Sequence, residues 1–258
     1  MPCGVAKFKW AAGRKGSSGC AAAEKWTMTG SGEAMRRILI VVVVCACTRD
    51  DRFRIMPLGD SITAEVNAYR APLYRGLVGY EVDFVGGESN HGESIPDNDH
   101  EGHPGFTLSD LESHVAGYIS ATPSDLILLY GGINDVATGI SGADAAARLD
   151  QLLGTIYRTD PDTAVIVAAI APVKSGGVYD SPSHTDNLVR LNEAIPSVVS
   201  AWANEGKHVS WTDCDSGYGA TWYSDDIHPD AAGYDFIAAR FLAAIEAIRD
   251  DLGLLPAR

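Results

Sequence analysis

Cysteine is scarce where a fold would use it. Cys3, Cys20, Cys45 and Cys47 all precede residue 48, which leaves Cys214 alone in the rest of the chain. An internal disulfide is therefore excluded there, no Cys-x-x-Cys metal pair exists, and Cys214 is expected to be a buried structural thiol. Positive charge is scarce as well. The formal net charge is -14, and residues 1–47 hold seven of the 20 Lys+Arg but two of the 34 Asp+Glu, so residues 48–258 carry 13 basic against 32 acidic groups, net -19. Such a surface repels phosphate backbones and anionic headgroups, which argues against nucleic-acid or electrostatic membrane binding. A saline habitat would give the same composition. Long apolar runs are also few: Ile38-Leu39-Ile40-Val41-Val42-Val43-Val44 is too short to span a bilayer as a helix. No internal repeat is visible.

What is present divides at residue 47. Met35-Arg36-Arg37 and the apolar run after it read as the charged start and apolar middle of a secretory signal. Val44-Cys45-Ala46-Cys47 resembles a bacterial lipobox with Cys47 as the acylated residue, although Val stands where Leu is usual. An extra buried strand at 38–44 is the alternative. Residues 1–34, rich in Gly, Ala, Ser and basic residues, have no apolar periodicity and are set aside as an over-extended start or a leader. The expectation is a leader at 1–47, a single catalytic domain at 48–258, and a protein that is secreted or lipid-anchored at the cell surface, with no membrane insertion of the domain. A chain of 258 residues with 46% hydrophobic content can bury one substantial core.

The domain reads as alternating strands and helices. Arg52-Phe53-Arg54-Ile55-Met56-Pro57-Leu58 predicts a buried strand, residues 69–78 a helix, and Glu81-Val82-Asp83-Phe84-Val85 a short strand. Residues 86–105, rich in Gly, Asn and His, read as a long functional loop. Thr107 is placed to cap a helix to Ser120, with Asp110 completing a relative of the capping box. Asp125-Leu126-Ile127-Leu128-Leu129-Tyr130 predicts a third strand and residues 142–157 an amphipathic helix. Strands follow at 163–170 and 207–211. A helix over 184–204 should kink or break at Pro196, and a closing helix covers 231–249. This alternation implies a parallel sheet covered on both faces.

Strand ends in such a sheet carry the chemistry. Ser61, Gly105, Asn134 and the pair Asp225/His228 all follow strands at the same edge. A serine becomes a nucleophile when a base lies in hydrogen-bond reach and donors face the oxyanion, and a carboxylate must fix the tautomer of that base. In Asp225-Asp226-Ile227-His228-Pro229 acid and base stand three positions apart, within one turn. Asp226, two residues from His228, is expected to point outward.

These blocks resemble those of the SGNH, or GDSL, hydrolases. Gly59-Asp60-Ser61-Ile62 matches the first block, Gly105 in His103-Pro104-Gly105-Phe106-Thr107 the second, Gly132-Ile133-Asn134-Asp135 the third and Asp225-x-x-His228-Pro229 the last. The resemblance implies that Ser61 is the nucleophile, His228 the base and Asp225 its orienter. It also implies an oxyanion hole made by the Ser61 and Gly105 N–H groups and the Asn134 amide. With the alternation of strands and helices, the fold expected for the domain is a three-layer α/β/α sandwich of about five parallel strands, flavodoxin-like in order. Val82-Asp83-Phe84-Val85-Gly86 and the stretch from Asp97 to Phe106 are similar to carbohydrate esterase family 3, whose members are acetyl xylan esterases. The implied activity is hydrolysis of short-chain acetyl esters, on an acetylated polysaccharide such as xylan, by a cofactor-free monomer. Asp60, Phe106 and Tyr223 are expected to touch substrate. Glu65 is a departure, since many relatives have Gly there, and it bears on the shape of the first turn and the acyl pocket.

Other readings remain. The substrate is alternatively a lipid or another short-chain ester, or the domain is a non-catalytic carbohydrate- or metal-binding protein. Asp97, Asp99, His100, Glu101 and His103 have metal-ligand chemistry, but the resemblance makes them loop architecture, with both histidines held by internal hydrogen bonds. His208 is expected to be a structural strand residue and His184 a surface one. The Gly-x-Ser-x-Gly elbow of α/β-hydrolases is a poor match, because its second Gly is missing.

Overall fold

The computed structural model describes residues 52–90, 94–254 and 256. The leader at 1–47, with its signal, Cys47 and the alternative strand at 38–44, lies outside the described residues. In chain order the elements are β1 (Phe53–Gly59), α1 (Ser61–Ala64), α2 (Arg70–Gly76), β2 (Val82–Phe84), β3 (Glu88–Ser89), β4 (Asp99–Gly102), α3 (Leu108–Ala121), β5 (Leu126–Tyr130), α4 (Ile133–Ala137), α5 (Gly142–Thr159), β6 (Ala164–Ala168), α6 (Pro182–Asn204), β7 (Val209–Thr212) and α7 (Ala231–Leu252). Among the described residues, no helix is long and apolar enough to cross a membrane.

β5 and β6 are buried along their whole length, as strands covered on both faces must be. The parallel order β2-β1-β5-β6-β7 is the flavodoxin-like one, with its switch point between β1 and β5. α3 packs on α5 and α5 on α6, while α2 packs on α7, completing the three layers. Cys214 lies in the core, fully buried, and burial pushes its thiol above the ordinary range.

Two expectations are corrected. Residues 86–105 are not all loop: β3 and β4 form an antiparallel pair, and β4 joins β1 in parallel. The flank of β1 opposite β5 is consequently shared. β2 pairs with Phe53, Arg54 and Ile55, and β4 with Leu58 and Gly59. Pro57 stands in the gap between them. On that flank the Ile55 carbonyl accepts from Val85 and the Gly59 carbonyl from His103. By the two-residue alternation of a strand, Pro57 faces the same flank, where its missing N–H leaves no donor for a continuous ladder.

Pro196 does not end the helix, for α6 runs unbroken from Pro182 to Asn204. Leu188, Leu191, Ile195 and Val199 are all buried along one face of it. That packing offsets the roughly 3 kcal/mol that an interior proline costs a helix. At the start of α3 the expected box is present in full, with Thr107 and Asp110 exchanging bonds.

Candidate active site

The first turn is set by close packing. A Cβ on Gly59 would lie 2.0 Å from the Tyr130 carbonyl oxygen, so β1 can end against β5 only with glycine there. Asp60 then caps α1, its Oδ1 accepting the Ile62 N–H at 3.0 Å. It is fully buried, so it cannot touch substrate as the sequence suggested. Burial pushes the Asp60 carboxyl up to about 7, against the opposing pull of the Ile62 N–H and of His228. Its Oδ2 has no hydrogen-bond partner among the described residues.

Ser61 follows, partly exposed, and its hydroxyl meets the imidazole of His228, with Nε2 2.9 Å from Oγ. The other ring nitrogen, Nδ1, is 2.7 Å from Asp225 Oδ2. A nitrogen facing a carboxylate carries the proton, which leaves Nε2 as the acceptor for the Ser61 hydroxyl. Asp225 is itself fixed, since its Oδ1 accepts the N–H groups of Ile227 at 2.9 Å and His228 at 2.8 Å. Burial pulls its pKa upward, but those two N–H groups and the imidazole together hold it below the usual carboxylate range. Asp226 does not point idly outward. Its Oδ2 accepts the Val178 N–H at 3.0 Å and its carbonyl the Lys174 N–H at 3.1 Å, which ties the loop after β6 to the Asp225–His228 loop.

Gly105 and Asn134 come together through a residue the sequence reading did not single out. Asp135 is fully buried; its Oδ2 accepts the N–H of Leu108, the first residue of α3, at 2.8 Å, and its Oδ1 accepts from Arg148 Nη1 at 2.8 Å. This holds the 105–108 turn against α4, where Asn134 Nδ2 donates to the Phe106 carbonyl at 2.9 Å with one of its two N–H bonds. Gly105 has φ +82°, a conformation a Cβ disfavours even though the space around it is open. Among the described residues neither the Ser61 nor the Gly105 N–H has an acceptor.

The remaining expected residues have partners of their own. The Phe106 ring stacks on His103 with centroids 4.9 Å apart and tilts against His114 at 5.4 Å. Tyr223 donates its hydroxyl to the Pro172 carbonyl at 2.7 Å. His100 Nδ1 accepts the Gly102 N–H at 2.9 Å, and burial followed by the charge of Arg70 lowers that imidazole to about 3. His103 Nε2 bonds Glu101 Oε2 at 3.0 Å. Both histidines thus have internal partners, and among the described residues no group of three or more His, Cys, Asp or Glu is arranged to hold a metal ion. His184 Nδ1 lies 3.2 Å from the Tyr179 carbonyl, and the His208 backbone carbonyl takes Tyr157 and Val165. A concavity of about 250 Å³ beside the 172–180 loop is lined by Pro172, Leu188, Asn192 and Asp215 but by none of Ser61, Asp225 or His228. The site is therefore located by its hydrogen-bond relay and not by depth.

Arg70 was also unread. Fully buried, it donates to the carbonyls of Thr63 at 2.8 Å, Asn98 at 2.9 Å and Glu65 at 3.1 Å, and so braces the turn that presents Ser61.

Residues 58–236 match the profile of the GDSL-like lipase/acylhydrolase family. The chain belongs to that family. Membership makes this GDSL domain a carboxylic ester hydrolase. An acetyl esterase mutant solved with an acetate ion is 28% identical, with a TM-score of 0.67, over 78% of this chain and 99% of that one. A family 3 carbohydrate esterase of Clostridium thermocellum gives the same identity and TM-score over 78% of this chain and 98% of its own. A multidomain esterase of Ruminococcus flavefaciens is 31% identical over 222 residues, 75% of this chain. The GDSL chain spans 28% of the length of that relative.

Proposed function

We propose that this GDSL hydrolase is an exported serine esterase that removes acetyl groups from a polysaccharide. The observation that carries the reading is the continuous relay from Asp225 through His228 to Ser61, with the Ser61 and Gly105 N–H groups left to accept a new charge. In this reading Ser61 Oγ attacks the acetyl carbonyl while His228 Nε2 takes the hydroxyl proton, and Asp225 steadies the imidazolium. The carbonyl oxygen becomes an oxyanion bonded by those two N–H groups and the second N–H of Asn134. On collapse the alcohol leaves with the proton from His228. A water then adds its oxygen to the acyl carbonyl carbon while His228 takes its proton, and on collapse the bond to Ser61 Oγ breaks, His228 returns that proton to Oγ, and acetate departs.

Two things support acetyl and a bulky alcohol. Relatives named as an acetyl esterase and a family 3 carbohydrate esterase match over nearly their whole length. The relay is also open to solvent, with the Asp225 side chain 57% and the His228 side chain 19% exposed, so the alcohol half of a polymer is not excluded by a roof. The site residues supply every proton transfer themselves. Assaying a chain-length series of activated esters beside acetylated xylan tests the reading. Highest kcat/KM at two carbons and acetate release from xylan are expected. A peak at eight carbons or beyond would move the substrate to lipids, and full activity in Ser61→Ala would remove the serine mechanism.

A further inference from the structure

The relay has a second carboxylate beside it. Glu65 caps the C-terminal end of α1, its N–H donating to the Ser61 carbonyl at 3.0 Å. Its side chain turns back toward the imidazole, placing Oε1 3.8 Å from His228 Nε2. The other oxygen, Oε2, accepts the hydroxyl of Tyr234 on α7 at 2.7 Å. Tyr234 is buried, and burial together with its bond to Glu65 holds the phenol protonated far above its ordinary range. It is therefore a permanent donor. The Glu65 backbone is fixed as well, because its carbonyl takes one arm of the buried Arg70. A carboxylate anchored at both ends is a designed neighbour of the imidazole, unlike a surface side chain that happens to pass near it.

The groups facing His228 can be named by element. Asp225 meets Nδ1 from its own loop, and Ser61 and Glu65 meet the Nε2 side from the turn after β1. Asp60 lies buried in the same turn, near enough to sense the charge on the ring, and Tyr234 acts from α7 through Glu65. At 3.8 Å Glu65 is too far for a direct bond, so it leaves the Nε2 contact with Ser61 intact. Its attraction grows when the ring takes the serine proton, because an opposite charge within about 4–6 Å favours the charged form.

We propose that Glu65 is a positioning residue that supports the His228 imidazolium from the Nε2 side, complementing Asp225 on the Nδ1 side, with Tyr234 holding it in place. This rests on the assignment of Ser61 and His228 as nucleophile and base. The consequence is a transition state in which the positive charge of the imidazolium faces two acids, one on each side of the ring.

The test is the pH dependence of kcat/KM for the whole chain acting on an activated acetate ester. Glu65→Gln keeps the size of the side chain and an acceptor for Tyr234 while removing the charge. The expected result is an acid limb shifted down by about half a unit or more at low salt, with plateau kcat lowered about threefold to tenfold. Because the Glu65 side chain is 40% exposed, the shift should shrink in 0.5 M salt. Tyr234→Phe should move the limb the same way by less, and Glu65→Asp should restore part of it. An unchanged acid limb in Glu65→Gln, with or without a fall in melting temperature, overturns the proposal. If Glu65→Gln does not fold, an unchanged limb in Tyr234→Phe does so. Ser61→Ala assayed in parallel separates the cases, since its full activity would remove the underlying assignment and leave Glu65 without a relay to support.

Discussion

Asp225 grips His228 twice, through the ring Nδ1 at 2.7 Å with one oxygen and through the backbone N–H at 2.8 Å with the other. The acid therefore sets both the angle of the imidazole and the path of the chain that carries it. Asp225→Asn is expected to lower kcat by at least about tenfold, since an amide can present its N–H to Nδ1 and favour the wrong tautomer. Asp226→Asn, which keeps an acceptor for Val178, should change kcat by less than about threefold. Single-turnover rates at equal folded fraction check both, and the reverse ranking would move the acid by one residue.

Burial of Asp60 makes an unusual contribution to stability against pH. Its folded pKa, about 7, lies above its ordinary 3.8. The folded state then holds more protons than the unfolded one between those values, so this term falls as pH rises from about 4 to 7 and is flat above. Asp60→Asn keeps the cap acceptor and removes the titration. The melting temperature of the variant relative to the parent should rise across that window, and a difference that stays constant with pH would refute the linkage.

Arg148 reaches Asp135 with its side chain 30% exposed, and the carboxylate it meets is fully buried. Arg148→Met leaves that charge with the Leu108 N–H and no cation. Loss of about 1–3 kcal/mol in urea unfolding is expected, less than for a wholly buried pair. Because Asp135 also positions the turn at Gly105, kcat should fall several-fold with little change in KM. A variant that loses stability but keeps kcat would separate the two effects.

Both flanks of β1 are occupied by β5 and by β2 with β4. A chain beginning at Thr48 should therefore unfold cooperatively and keep its esterase activity. Loss of a cooperative thermal transition in that truncation would show that residues 38–44 contribute to the core.

The parallel sheet was legible from its apolar strands, and Ser61, Gly105, Asn134 and the Asp225–His228 pair stood out because each follows a strand at one sheet edge in blocks that resemble those of the SGNH hydrolases. β4 was not, because Asp99 is exposed while His100 and Glu101 are polar residues that become buried only through partners elsewhere. Glu101 takes the Gly87 N–H and His103. Asp60 was misread because a buried cap and a substrate contact are the same letter in a motif. The roles of Asp135 and Glu65 depend on Arg148 and Tyr234, which lie 13 and 169 residues away. The break considered at Pro196 is absent for the opposite reason: a strong local signal yielded to the packing of α6.

Pro57 interrupts the ladder on one flank of β1, so β2 and β4 need not be one continuous strand, and the chain between them is free to leave the sheet and return. That excursion comes back at the catalytic end, where Asn90 bonds the Ala64 carbonyl and Ser94 bonds the Asn67 side chain. Residues gained or lost within it would leave the pairing of β1 with β5 in register while redrawing the surface packed against Ala64 and Asn67, at the end of the turn that carries Ser61. The gap is thus a natural insertion point, and a grafted loop there offers a way to change which esters enter without touching the residues that cleave them.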